Sequence, residues 1–262
     1  MSNNKETLCI YLGGSNLYHL NTPESDFDHR GVFMVTDPAY IIGLNRFDEE
    51  RKMSENTDYV LREFQNYMRL IQKANTEALE CMFAPLDSFQ ILDPRFKLVR
   101  IHANDLINSE QFYKSLRGYA QGEYRLALGQ RTGVLGAKRH ESLKKYGFSP
   151  KNCTNLLRLL YTGIHFFKED RYIVNCHDFG QAVYDKLFTI KTKPETYSVT
   201  EMERDYKDFE KQLDSAYNDR KVTHSFNPII ANWLIVQLYY PYLKDYYENN
   251  LTESPVSASI LP

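Results

Sequence analysis

The chain has 262 residues, 42% of them hydrophobic, and a formal net charge of -2. That is enough chain to bury a core in one domain or two small ones, and its 20 Tyr and 15 Phe exclude a low-complexity polymer. No uncharged apolar run approaches the ~20 residues a bilayer requires, and no apolar signal segment follows the first residues, so a cytoplasmic protein with no membrane partner is expected.

Leu8 to Leu12 reads as a strand ended by the turn Gly13-Gly14-Ser15, with a short helix from Ser15. Turn residues follow from Asn21 to Ser25, and Phe27 to Val35 restarts as a second strand. Tyr40 to Leu44 is expected to be extended, Arg46 to Asn56 a polar surface loop, and Thr57 to Leu61 a third strand. Phe64, Tyr67, Met68, Leu70 and Ile71 recur at helical spacing. Past Pro85 the helical pattern dominates, with helices near 95–107, 109–129, 151–169, 175–188, 200–217 and 228–247. Ser149-Pro150 reads as a cap with proline at the first helical position, and Thr200 with Glu203 as a capping box. Gly133 and Gly136 mark a loop. A strand-containing N-terminal unit thus precedes a mostly helical one, with the boundary near Leu86 to Pro94 and an aperiodic tail from Glu248.

Charge is unevenly placed. From Gln111 to Arg171 there are 12 Lys or Arg against 4 acids, while Asp26 to Glu63 is rich in acids. This suits a polyanionic substrate beside a metal site, and solvated helix faces give the same pattern. The four cysteines, Cys9, Cys81, Cys153 and Cys176, match no zinc spacing and read as buried thiols in a reducing compartment.

Chemistry concentrates in Gly13-Gly14-Ser15 and, eleven residues on, Asp26-Phe27-Asp28. In an extended segment Asp26 and Asp28 point the same way while Phe27 points into the core. Two neighbouring carboxylates repel unless a cation neutralises them, and Mg²⁺ takes hard oxygen ligands together with triphosphate oxygens. The glycine-rich turn offers backbone N–H groups and a hydroxyl to an anion. Each half has a plainer reading alone, as an ordinary turn or a solvated acidic pair. Their combination in strand–turn–strand order is the sharper signal.

The stretch GGSNLYHLNTPESDFDHRGVF, residues 13–33, resembles the signature of the polymerase-beta-like nucleotidyltransferases, in the branch that includes RNA-repair-associated enzymes. The resemblance continues through residues 56–85 and 144–167 and reaches most of 9–240. It implies an α+β fold: a small mixed or antiparallel nucleotidyltransferase sheet with flanking helices, then a mostly helical domain. Residues 1–90 would be the catalytic domain, 91–247 a helical substrate- and nucleotide-binding domain, and 248–262 a flexible tail. By resemblance Gly14 and Ser15 hold the triphosphate, Asp26 and Asp28 bind two Mg²⁺ or Mn²⁺ ions, and Arg30-Gly31 follows the second carboxylate. The third metal carboxylate should stand on an adjacent strand. Asp58 is the choice, with Glu55 and Glu63 as alternatives, while Asn75 and Glu80 tie helices together near the site.

Lys151 and Arg158 are seven residues apart, so one helix face can carry both, with Asn155 between them and Leu156, Leu160 and Ile164 buried opposite. They are expected to grip the β- and γ-phosphates of an NTP from across the cleft, unless they simply form a basic solvated face. Lys144 and Lys145, in a less regular segment, would touch an extended acceptor. The implied reaction moves a nucleotide from an NTP to an acceptor hydroxyl. An RNA end is the leading acceptor, and a protein or small-molecule hydroxyl would need the same core. A non-catalytic nucleotide or RNA sensor is the rival reading, because Asn16 and His19 replace an arginine and a glycine frequent in the family. The residues leave the oligomeric state open.

Overall fold

The computed structural model describes residues 5–53, 57–130 and 137–250. β1 (Lys5–Leu12) leads into a single helical turn, α1 (Gly14–Leu17), and β2 (Phe27–Val35) restarts the sheet. α2 (Pro38–Ile41), β3 (Glu49–Met53) and β4 (Thr57–Glu63) follow, then α3 (Phe64–Gln72), α4 (Thr76–Phe83) and β5 (Phe89–Leu92). The remainder is helical: α5 (Pro94–Ile101), α6 (Ala103–Leu106), α7 (Ser109–Ala127), α8 (Ala137–Tyr146), α9 (Pro150–Glu169), α10 (Gln181–Thr192), α11 (Val199–Asn218) and α12 (Pro228–Asn250). The strands form one mixed sheet in the order β3-β4-β2-β1-β5. β2 and β4 run parallel, and the other pairs are antiparallel. The fold is therefore α+β, a small mixed sheet with helices on it and a largely helical C-terminal region.

Several local expectations change. The segment after Asp37 is helical rather than extended, because the Asp37 carboxylate accepts from the Ala39 N–H at 2.9 Å and Pro38 occupies the first helical position. The polar stretch expected as a loop contains edge strand β3. Its side chains are nearly all solvent-facing, so it carries no apolar alternation, and ion pairs from Arg62 to Glu49 and Lys5 to Glu50 anchor it. Lys144 and Lys145 lie on α8, a run of good helix formers, not in an irregular segment. The capping box is Ser198 with Glu201, two residues before Thr200 with Glu203. Ser149 does precede α9, but its hydroxyl donates to Asn152 Oδ1 at 2.8 Å instead of capping the backbone. The loop at Gly133 and Gly136, Glu55 and residues 251–262 fall outside the described residues, while 248–250 belong to α12.

α9 organises the packing. Leu156, Leu160 and Ile164 join the core that backs the sheet, whereas Cys153 and Leu157 belong to a second core with Leu20, Phe148 and Leu187. A Cβ at Gly163 would sit 2.0 Å from Leu116 of α7 and 2.8 Å from Leu213 of α11, so the absent side chain lets three helices meet. With apolar neighbours on both sides, α9 has little surface left for polar groups. All four cysteines are buried and form no disulfide, and Cys9 and Cys81 face each other with sulfurs 3.7 Å apart. Among the described residues no helix is long and apolar enough to cross a membrane.

Candidate active site

The turn after β1 is built by glycine. Gly14 has φ +57, and a Cβ there would lie 2.1 Å from Asp28 Oδ2, so only a bare backbone fits against that carboxylate. The Gly13 N–H donates to the Asp28 carbonyl at 2.6 Å, which locks the turn to the first residues of β2. Asn16, where the family pattern often has arginine, donates through Nδ2 to the Asp26 carbonyl at 3.2 Å. It thus orders the backbone entering β2. His19 has φ 56, which explains the glycine frequent at that position: a residue with a Cβ takes this conformation at a cost of ~1–3 kcal/mol. The turn is fastened to distant helices as well. The Tyr18 carbonyl accepts from Cys176 N–H (3.1 Å), the His19 carbonyl from Tyr184 (3.2 Å) and the Leu20 carbonyl from Lys191 Nζ (2.5 Å).

This turn forms one wall of a cavity of ≈ 400 Å³. Gly14, Ser15, Asp26 and Asp28 line it on the sheet side. Lys151, Asn155 and Arg158 of α9 and Lys191 of α10 line it on the helical side. Phe27 lies between the two aspartates and is 52% exposed, so it does not enter the core as expected. The reason is position: it opens β2 at the sheet's end, before the buried run Gly31 to Val35.

Asp58 stands directly across from Asp28 in the parallel β2–β4 register. The Arg30 guanidinium joins the two, with Nη2 at 3.2 Å from Asp28 Oδ1 and 3.0 Å from Asp58 Oδ2, while Nε reaches Glu77 at 3.1 Å. Burial works against the Arg30 charge, but Asp28, Glu77 and Asp58 outweigh it and hold its pKa above the ordinary value. Arg30 therefore faces carboxylates and is not among the residues lining the cavity. Glu63 is occupied elsewhere, capping α3 and accepting from Tyr239. Among the described residues no three His, Cys, Asp or Glu side chains are gathered as a metal site. The donor chemistry still suits a hard cation: Asp28 abuts a bare glycine, and Asp58 Oδ1 is a buried carboxylate oxygen with no hydrogen-bond partner.

The two cations expected on α9 differ in environment. Lys151 is exposed at the cavity. Arg158 is 3% exposed, paired with Glu80 at 2.9 Å, donating to Asn155 Oδ1 at 2.8 and 3.2 Å, and stacked 3.6 Å from the Tyr18 ring centroid. Tyr18 in turn donates to Glu80 at 2.7 Å. Glu80 thus ties α4 to α9 and to the turn, and Asn75 caps α4 and donates to Tyr119 of α7 at 2.7 Å. Sequence spacing missed Lys191. Burial, with a smaller contribution from the neighbouring Lys151, pulls its pKa below the usual lysine range. Thr154 was missed too; it lines the cavity, and its buried hydroxyl has no partner. No local pattern marks either residue, because α9 and α10 meet only in the fold.

Together the sheet, turn and cavity describe a polymerase-beta-like nucleotidyltransferase fold. The family model described as "RlaP: RNA repair pathway DNA polymerase beta family" matches residues 2–225, and the chain belongs to that family. A solved structure of a nucleotidyltransferase-like protein from Exiguobacterium sibiricum 255-15 aligns over 93% of this chain and 85% of that chain, at 11% identity and TM-score 0.31. No curated protein matches the chain.

Proposed function

We propose that the chain is a metal-dependent nucleotidyltransferase that moves an NMP from an NTP to an acceptor hydroxyl, with an RNA end as the leading acceptor. The observation that carries this reading is the cavity itself. A glycine-serine turn and two aspartates face Lys151 and Lys191 across ≈ 400 Å³, within the usual size range of small-molecule sites. Asp26 and Asp28, with Asp58 as third ligand, would hold two Mg²⁺ or Mn²⁺ ions, which supply charge neutralisation and a more acidic acceptor hydroxyl.

The chain's own groups do the rest. Ser15 and the bare Gly14 turn bind phosphate oxygens. Lys151 and Lys191 draw in the triphosphate. Arg158, committed to Glu80 and Tyr18, positions the turn and fixes Asn155 rather than touching phosphate directly. The acceptor oxygen forms a bond to the α-phosphorus as the bond to the β-phosphate bridge breaks. Pyrophosphate leaves, and a carboxylate takes the acceptor proton. The sheet region up to about residue 90 carries the chemistry, and the helices beyond it grip the nucleotide, in a reducing cytoplasm.

A second reading rests on Arg30. By pairing with one oxygen of Asp28 and one of Asp58 it offsets part of their charge without a metal, as a nucleotide or RNA sensor could use. Incubation with each labelled NTP, Mg²⁺ or Mn²⁺, and pooled RNA or protein separates the two. Transfer of label that disappears in the Asp26→Ala, Asp28→Ala double variant is expected. Label that resists nuclease moves the acceptor from RNA to polypeptide. NTP binding without transfer to any acceptor favours the sensor.

A further inference from the structure

α12 is apolar on two sides. Ala231, Leu234, Leu238 and Tyr239 are buried inward, where the helix packs on α2, α3 and α6. A surface helix normally has one such stripe. A second runs along the outside through Ile229, Trp233, Val236, Tyr240, Leu243 and Tyr247, with steps of four, three, four, three and four residues. Leu243 is half-buried, and the other five are between 43% and 78% exposed. Such steps define a helix-pairing seam, about 27 Å long at ~1.5 Å per residue. Charged residues on α12 are confined to Lys244, Asp245 and Glu248 near its end, so most of the seam is charge-free, as interface centres are. The family match stops at residue 225 and does not account for it.

We propose that this seam pairs antiparallel with the same helix of a second copy of the chain, about a two-fold axis. The spacing reads the same in both directions, which a self-complementary contact requires. Antiparallel pairing sets Ile229 against Tyr247, Trp233 against Leu243 and Val236 against Tyr240, an aromatic on an aliphatic each time. Three aromatics of ~150–250 Å² each, about half exposed, with the aliphatics between them, offer on the order of 500 Å² per copy. A standard interface takes ~800 Å² per partner, so the pair belongs at the small, concentration-dependent end of specific interfaces.

Sedimentation equilibrium of the full chain, from low to high micromolar, tests this. The mass should rise toward two chains. Val236→Glu alone and Tyr240→Lys alone should each weaken dimerisation at least tenfold. The double variant should restore it, because each new glutamate then faces a new lysine across the axis. These side chains are exposed, and circular dichroism should show unchanged folding. A monomer at every concentration overturns the proposal, as does a dimer indifferent to both single variants. If a chain ending at Asn250 dimerises where the full chain does not, the proposal also fails, since the chain's own end then covers the seam.

Discussion

Arg158 keeps its charge inside the protein because Glu80 brings the opposite one. Burial works against the guanidinium, but Tyr18 and Glu80 hold its pKa above the ordinary value. Removing one partner of such a pair strands the other, at a cost of ~3–5 kcal/mol. Glu80→Gln should therefore lower the melting midpoint by roughly 6–20 °C for a chain of this size. Replacing both Glu80 and Arg158 by leucine should cost much less. An unchanged midpoint in Glu80→Gln would mean that the pair contributes nothing. The seven-residue spacing of Lys151 and Arg158 was legible in the sequence, and both do line one cavity. Which of them meets solvent was not. Helical periodicity cannot say that a second core covers the flank of α9, nor that an acid on α4 awaits the arginine.

At the scale of elements, Asp205 joins α10 to α11. Its carboxylate pairs with Lys186, accepts from Tyr197 at 2.6 Å and lies 3.3 Å from Arg204. Burial raises its pKa, but hydrogen bonds from Lys186 and Tyr197 more than offset this, and the net position is below the usual carboxylate range. The unfolded chain then binds the proton more readily than the folded one. The stability from this group is complete above the ordinary aspartate pKa of ~4 and drains as pH falls through the lowered folded value. Asp205→Asn should be less stable than wild type at neutral pH, and the gap between their urea midpoints should narrow on acidification. A constant gap from neutral to acid pH would count against the ion pair. Strand β2 was readable because apolar residues return abruptly after turn residues, and its bounds coincide with the expected Phe27 to Val35. β3 was not, since an edge strand of charged residues looks like a loop until its partner is known.

Across the whole molecule, α12 closes back on β1 and β4. Tyr239 of α12 donates to the buried Glu63 at the end of β4, and Tyr242 donates to Glu6 of β1 at 2.7 Å. Tyr239→Phe removes one partner of a buried carboxylate and should cost about 1–3 kcal/mol, read as a lower denaturant midpoint without a change in slope. A variant as stable as wild type would show that Glu63 is satisfied by its cap on α3 alone. The two-part layout was legible because strands give way to helices along the chain. The closure was not, because contacts 176 and 236 residues apart leave no local trace.

That closure has a consequence for how the protein is made. The strands leave the ribosome well before α12, the helix that shields Phe64 and Glu63. At ~5–20 residues per second, the 236 residues separating Glu6 from Tyr242 correspond to roughly 10–50 s of synthesis. Through that interval the patch around Phe64 and Glu63 lacks its cover from α12, and a chaperone that binds apolar surface has its longest opportunity there.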